Sequence, residues 1–131
     1  MPSESVRVMV RCRPMNSKEQ NRGNFSIMTL DYQSKTASIQ DPREESNLRQ
    51  FTYDAVFGPD TAQQKIYEIS TFPILEAVFN GYNGTVFAYG QTGTGKTHTM
   101  TGVEGDDTHK GIMPRAFEDI FVNIKGDSNL T

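Results

Sequence analysis

The chain has 131 residues, of which 35% are hydrophobic and 22% charged, and its formal net charge is −3 at pH 7. This acidic balance argues against a nucleic-acid-binding surface. No apolar run approaches the roughly 20 residues of a membrane span, so we expect no membrane insertion. Residues 1–4 do not open a signal peptide, and the lone Cys12 is typical of a reducing compartment. The composition therefore predicts a cytoplasmic protein.

The first predicted strand runs from Ser5 to Cys12, where apolar and polar side chains alternate. Proline cannot donate to a sheet, so Pro14 ends the strand. Arg11, Arg13 and Pro14 would then lie at the carboxyl edge of a sheet, where α/β folds bind ligands. There an arginine and a proline can sandwich an adenine base. They can equally be a surface cation pair that closes a strand, and the residues alone leave both interpretations open.

Weaker strand patterns follow at residues 25–30, 36–39 and 51–53. The charged stretch 41–50 predicts a solvated loop. Together these patterns predict a small antiparallel lobe of about residues 24–53, between the first strand and the first helix.

The first predicted helix begins with the S/T-x-x-E/Q pattern of a capping box, from Thr61 to Gln64. Apolar residues then recur on one face until Gly81. Pro73 removes one backbone hydrogen bond inside this stretch, so we expect a kink near Ile69. The pattern thus predicts one long, kinked helix.

A phosphate-binding motif follows a strand-like run. Residues 84–89 are β-branched and aromatic, as in a buried parallel strand. The next eight residues fit G-x-x-x-x-G-K-[ST] without a mismatch, and no helix breaker follows before Gly102. This order of strand, glycine-rich loop and helix disfavours a chance Gly/Thr-rich loop. The motif residues are Gly90, Gln91, Thr92, Gly93, Thr94, Gly95, Lys96 and Thr97.

The residue types in the motif suit a nucleoside triphosphate bound with Mg²⁺. Gly90, Gly93 and Gly95 have no Cβ, so successive N–H groups can turn toward an anion. A helix that begins at about Gly95 adds the positive end of its dipole. Lys96 can then reach the β- and γ-phosphates, and the Thr97 hydroxyl can bind Mg²⁺, which makes these two the predicted catalytic residues.

The residues after the motif carry weaker signals. His98 follows directly, and a partly exposed first-turn residue is the commoner role there, with a ligand contact the rarer one. The stretch from Gly102 to Gly111 is polar, acidic and bounded by glycine, which predicts a surface loop. A second amphipathic helix is expected from about Pro114 to Ile124.

Several stretches resemble, in family order, the N-terminal part of a kinesin motor domain. The sequence Gly-Tyr-Asn-Gly at 81–84, followed by Phe-Ala-Tyr-Gly-Gln-Thr-Gly, is highly specific. The likeness runs essentially from Ser5 to the end and is greatest to the heterotrimeric ciliary-transport kinesins. The matching stretches are 11–14, 51–57, 81–90, 91–100 and 111–115.

The resemblance implies a kinesin/myosin-like P-loop NTPase. Its α/β fold would have a central, mostly parallel sheet flanked by helices, and residues 1–131 would be its N-terminal portion. ATP phosphates and Mg²⁺ would be held by 90–97. Arg11, Arg13 and Pro14 would border the adenine, with His98 on its other side.

The activity implied is ATP hydrolysis stimulated by microtubules and coupled to movement. The partner would be tubulin, and dimerisation would use a stalk outside these residues. The intact protein would lie on the cytoskeleton of the cytoplasm, or of a cilium or flagellum.

The resemblance also indicates what these residues lack. Kinesins position the attacking water and sense the γ-phosphate with an N-x-x-S-S-R and a D-x-x-G switch, and neither pattern occurs in the 131 residues. We therefore expect an N-terminal fragment that is inactive alone, with the rest of the motor domain after residue 131. Two alternatives stay open: another P-loop NTPase, such as a GTPase or small-molecule kinase, and a non-catalytic nucleotide-binding remnant.

Overall fold

The computed structural model of this chain describes residues 6–126. Two compact units divide it, one up to Asp60 and one from Thr61 onward. The first unit contains, in chain order, β1 (Met9–Arg11), α1 (Ser17–Asn21), β2 (Met28–Asp31), β3 (Thr36–Gln40), β4 (Leu48–Thr52) and β5 (Ala55–Phe57). The second contains α2 (Gln63–Ser70), α3 (Phe72–Phe79), α4 (Lys96–Met100) and α5 (Ile112–Gly126).

Strands β1 and β5 form a two-stranded parallel sheet in which Val10 pairs with Val56. The pairing continues past the strand end, because the Cys12 N–H donates to the Phe57 carbonyl at 2.8 Å. Val56 and Phe57 are buried, as β-branched and aromatic residues commonly are in sheets. β1 is shorter than the predicted strand, whose first residue, Ser5, lies outside the described residues.

Strands β2, β3 and β4 form a three-stranded antiparallel sheet in that order. The Asp31 carboxylate holds the turn between β2 and β3, since it accepts from the N–H groups of Gln33 and Ser34 at 3.0 and 3.1 Å. The predicted loop over 41–50 is wrong at its end, because β4 already begins at Leu48. Backbone pairing with β3 decides the structure there, although all five side chains of β4 are exposed.

One predicted helix is two helices in the structure. α2 ends at Ser70 and α3 begins at Phe72, so Pro73 occupies the second position of α3. The missing N–H of a proline is harmless in a first turn, where no helical partner exists for it. The predicted kink near Ile69 is therefore a break at Thr71.

The capping box predicted at the start of α2 is wrong. The N-cap is Ala62, whose methyl group cannot accept a hydrogen bond. Gln64, which would close the box, donates instead to Glu68 at 2.9 Å and accepts from Arg115 at 3.1 Å. A charged donor makes a stronger hydrogen bond than a backbone N–H, so the contact with α5 prevails over the local one.

Residues 84–89 are not in a strand, and the prediction of a buried parallel strand there is wrong for this structure. Phe87 and Tyr89 are 79% and 95% exposed. A parallel strand is held only by hydrogen bonds to neighbouring strands, and none of the strands within 6–126 pairs with this run. The sequence predicts a mostly parallel sheet. Within the described residues, the parallel part of that sheet is the β1–β5 pair.

Tyr67 of α2 contacts both α3 and α5. Its ring packs edge-on against Phe72, with centroids 6.4 Å apart, and its hydroxyl donates to the Asp119 carboxylate. Burial first, and then the neighbouring carboxylate, raise the pKa of Tyr67. The other buried apolar side chains of this unit are Ile66, Leu75 and Ile112.

α5 is the second predicted amphipathic helix, and it extends beyond the predicted limits at both ends. It begins at Ile112, so Pro114 lies in its first turn as expected. Within 6–126, no helix combines the length and the apolar character needed to cross a membrane.

Candidate phosphate-binding site

The backbone of the motif takes left-handed conformations at two of its glycines. Gly93 and Gly95 have φ angles of 86° and 98°, a region in which a side chain is strained. A Cβ on Gly90 would lie 2.5 Å from the Thr94 hydroxyl oxygen. The left-handed backbone thus accounts for two of the predicted glycines, and the Thr94 side chain accounts for the third.

Thr94 closes the loop on itself. Its hydroxyl and its N–H both donate to the Gln91 carbonyl, at 2.6 and 3.2 Å. The loop therefore keeps its turn through its own hydrogen bonds.

Lys96 and Thr97 lie in the first turn of α4, which begins at Lys96 as the motif predicts. The Lys96 ammonium donates to the carbonyl of Gly90, so its charge is held within the motif. Both residues precede the first donor of the helical ladder, the Thr99 N–H, which bonds to the Gly95 carbonyl at 3.0 Å. An anion here would meet an ammonium group and the positive end of a helix.

A buried amide links α4 to the loop that follows it. Gln63 is the first residue of α2 and is only 5% exposed. Its Nε2 donates to the carbonyls of His98 at 2.8 Å and His109 at 3.2 Å. The His98 residue itself is exposed in the first turn, the commoner of its two predicted roles. The sequence did not indicate a role for Gln63, because nothing in the chain predicts that the first residue of α2 is buried.

The loop between α4 and α5, here the 102–111 loop, is pinned at its base and is not simply a solvated stretch. Gly102 pairs with Lys110 in an antiparallel bridge, and the Gly111 N–H donates to the Thr101 carbonyl at 2.9 Å. A Cβ on Gly102 would lie 2.2 Å from the His109 carbonyl oxygen, and one on Gly111 would lie 2.6 Å from the backbone of α4. The two bounding glycines are therefore required by close backbone approach.

Arg115 of α5 holds the middle of the 102–111 loop. It is 6% exposed, and its guanidinium donates to the backbone carbonyls of Asp107, Thr108 and Lys110 at 3.0–3.1 Å. A further bond reaches the Gln64 side chain at 3.1 Å. Arginine suits such a site because its five donors form a rigid planar fork.

Arg115→Met is expected to loosen the 102–111 loop. Methionine keeps an unbranched chain but removes every hydrogen bond that the guanidinium makes to the loop, and bonds from charged groups contribute about 1.5–3 kcal/mol each. We expect the loop amides in the full-length protein to exchange with solvent at least about tenfold faster by hydrogen-exchange mass spectrometry. Arg49→Met on the exposed strand β4 is the matched control. Equal exchange in both variants would contradict the assignment.

Arg11, Arg13 and Pro14 belong to the first unit, at the end of β1. The Arg13 guanidinium forms a bidentate pair with Glu19 of α1 at 2.5 and 2.9 Å, and it donates to the Pro14 carbonyl. The hydrogen bond from Arg13, followed by one from the Asn16 N–H, lowers the pKa of Glu19 to about 2. Burial lowers the pKa of Arg11. Arg13 thus has a structural partner, and contact of this cluster with adenine stays a prediction.

Known proteins are similar in sequence to almost the whole chain. A sequence profile of the kinesin motor domain matches residues 11–131. Kinesin-like protein KIF3C of Bos taurus is 40% identical over 129 residues, or 97% of this chain. Kinesin-like protein klp-20 of Caenorhabditis elegans is 44% identical over 93% of the chain, and Klp68D of Drosophila pseudoobscura pseudoobscura is 41% identical over 98%. The chain spans only 16–19% of the length of these relatives.

Proposed function

This chain belongs to the kinesin motor domain family, and from that premise we propose that it is the ATP-binding part of a microtubule-based motor. The full-length protein would couple ATP hydrolysis to movement along microtubules. The observation that carries the proposal is the motif at 90–97, in which Gly93 and Gly95 take left-handed φ angles and Lys96 begins a helix. The alternatives, another P-loop NTPase or a remnant, have no comparable support.

The residues of the motif fit the phosphates of ATP. Lys96 would contact the β- and γ-phosphates, since its ammonium is already held at the start of the loop. The backbone N–H groups of 90–97 would donate to the phosphate oxygens, as glycine-rich loops do. Thr97 would hold Mg²⁺, an ion that neutralises charge on the β- and γ-phosphates when bound. Together these groups would bind and orient the triphosphate.

Thr97→Ala is expected to impair the Mg²⁺-dependent step more than nucleotide binding. Loss of the hydroxyl should lower ATP turnover about tenfold, which corresponds to about 1.4 kcal/mol, and should shift the Mg²⁺ dependence to higher concentrations. The measurement is ATP turnover by the full-length protein as Mg²⁺ is titrated. Thr97→Ser keeps the hydroxyl and should restore most of the activity. An alanine variant with the original Mg²⁺ dependence would rule out this role.

Arg11, Arg13, Pro14 and His98 would border the adenine base. The support is the match of Arg11 to Pro14 and of His98 with the kinesin sequence pattern, together with the tendency of guanidinium groups to stack on aromatic faces. This assignment predicts a preference for ATP over nucleotides with other bases.

The full-length protein would supply what these residues lack. The water-positioning and γ-phosphate-sensing switches would come from the remainder of the motor domain, beyond residue 131. We propose a dimer held by a stalk, and a location on the cytoskeleton of the cytoplasm, with the cilium or flagellum as the finer assignment. The support for a cilium or flagellum is the resemblance to ciliary-transport kinesins.

The decisive experiment compares ATP and GTP as substrates of the full-length protein, with and without microtubules. We expect ATP hydrolysis that microtubules stimulate, and gliding of microtubules over the immobilised protein. Selective hydrolysis of GTP would favour another class of P-loop NTPase. Nucleotide binding without hydrolysis would favour a non-catalytic remnant.

A further inference from the structure

We propose that Gln63 is a positioning residue that couples the 102–111 loop to the phosphate-binding motif, so that the order of this surface loop responds to bound ATP. The proposal rests on the ATP binding proposed above and adds to it a coupling residue and a loop whose hydrogen exchange reports on the coupling. The observation behind the proposal is that the buried side-chain amide of Gln63 donates to two carbonyls, one in α4 and one in the loop.

The first of these carbonyls belongs to the helix of the motif. His98 lies two residues after Lys96 in α4, and its carbonyl accepts from the Gln63 amide at 2.8 Å. α4 is only five residues long, too short to be stable by its own hydrogen bonds. A bond from a buried residue of α2 therefore fixes the helix that carries Lys96 and Thr97.

The second carbonyl belongs to the 102–111 loop. The His109 carbonyl accepts from the Val103 N–H at 3.0 Å, across the base of the loop, and from the Gln63 amide at 3.2 Å. The same nitrogen therefore sets the position of α4 and of the loop base. A shift of one of them requires the other to move or a hydrogen bond to break.

The chemistry of the site explains why glutamine fits there. Both neighbours of Nε2 are carbonyl oxygens, which only accept, so the two hydrogens of an amide NH₂ group satisfy both of them without a buried charge. A carboxylate of the same size would place an acceptor against two acceptors. An apolar side chain would leave both carbonyls without this donor.

The test uses Gln63→Met in the full-length protein, with Gln50→Met on exposed β4 as the matched control. We expect the KM for ATP to rise about fivefold to tenfold, which corresponds to about 1–1.4 kcal/mol, with kcat within about twofold. Hydrogen exchange of the 102–111 loop is measured with and without Mg-ADP. The nucleotide should slow exchange in the unaltered protein and in Gln50→Met, and should no longer do so in Gln63→Met.

The outcomes separate this proposal from the proposed function. An unaltered protein that fails to bind adenine nucleotide would remove both. An unaltered protein that binds nucleotide, beside a Gln63→Met variant with the same KM and the same nucleotide-dependent protection of the loop, would overturn the coupling alone. A merely structural Gln63 would speed loop exchange yet leave its response to nucleotide intact, which also counts against the proposal. If Gln63→Met does not yield folded protein, Gln63→Asn is measured in the same way, because it keeps an uncharged amide but is one methylene too short to reach both carbonyls.

Discussion

Lys96→Ala in the full-length protein is expected to reduce ATP turnover to background. The Lys96 ammonium lies within the motif, where it donates to the carbonyl of Gly90, and under the proposed function it would be the charged side chain that contacts the phosphates. Two charge-assisted hydrogen bonds, to the β- and γ-phosphates, would contribute about 1.5–3 kcal/mol each. Their loss corresponds to a decrease of about a hundredfold or more in kcat/KM, since each 1.4 kcal/mol is about tenfold.

The measurement is steady-state ATP hydrolysis with saturating microtubules. Lys65→Ala on the exposed surface of α2 is the matched control, because it removes the same charge outside the motif. Lys96→Arg is informative as well, since a planar guanidinium does not replace a compact ammonium at a phosphate site. Turnover by Lys96→Ala at the rate of the Lys65→Ala control would refute the proposed role.

Residues 1–131 expressed alone are expected to show neither a cooperative thermal transition nor ATP hydrolysis. The described residues bury only seven apolar side chains: Ala37, Val56, Phe57, Ile66, Tyr67, Leu75 and Ile112. Large apolar groups are exposed in the run 84–89 and on α5, where Phe117, Phe121 and Val122 face water. A domain is stable by only about 5–15 kcal/mol, and this small core leaves little to offset chain entropy.

Circular dichroism during heating tests the stability of residues 1–131, and binding of an apolar dye tests the exposed surface. We expect a broad, non-cooperative loss of ellipticity together with strong dye fluorescence. The expected lack of ATP hydrolysis follows from the absence of both switch patterns in the 131 residues. Phosphate binding without a water-positioning group does not give turnover. A sharp melting transition with Mg-ATP hydrolysis would contradict the expectation.

The conformation of the glycine-rich motif was predictable because its requirements are local. Gly93 and Gly95 are needed where the backbone takes positive φ angles, and the helix follows them within one residue. α5 was predictable for a similar reason, since its apolar residues keep helical spacing over several turns.

The misassigned elements depend on partners far away in the chain. The run 84–89 has the composition of a buried strand, yet a strand forms only where a neighbour pairs with it. Gln64 has the spacing of a capping box, but its side-chain oxygen accepts a hydrogen bond from Arg115, 51 residues later. Gln63 and Arg115 have no signal of their own, because their importance comes from carbonyls that only the folded chain brings close.

Helix α1 has a local signal in its sequence. Asn16 accepts from the Glu19 N–H, and the Glu19 carboxylate accepts from the Asn16 N–H, each at 2.9 Å. This is a reciprocal capping box, and an asparagine followed three residues later by a glutamate is a pattern that can be recognised in the sequence. Its small size, five residues, and its lack of buried side chains explain why no hydrophobic periodicity indicated it.

Because the 102–111 loop is pinned at its base, the spacing between α4 and α5 does not depend on how many residues lie between them. Gly102 and Gly111 bring the two ends of the loop together, and the entropic cost of a longer loop rises by only about 0.6 kcal/mol for each doubling of its length. Glu104 and Gly105 lie exposed at the tip. Segments inserted there, such as an epitope or a fluorescent probe, would leave the register of α5 against α2 unchanged, so related chains can vary in length at this point without repacking the helices.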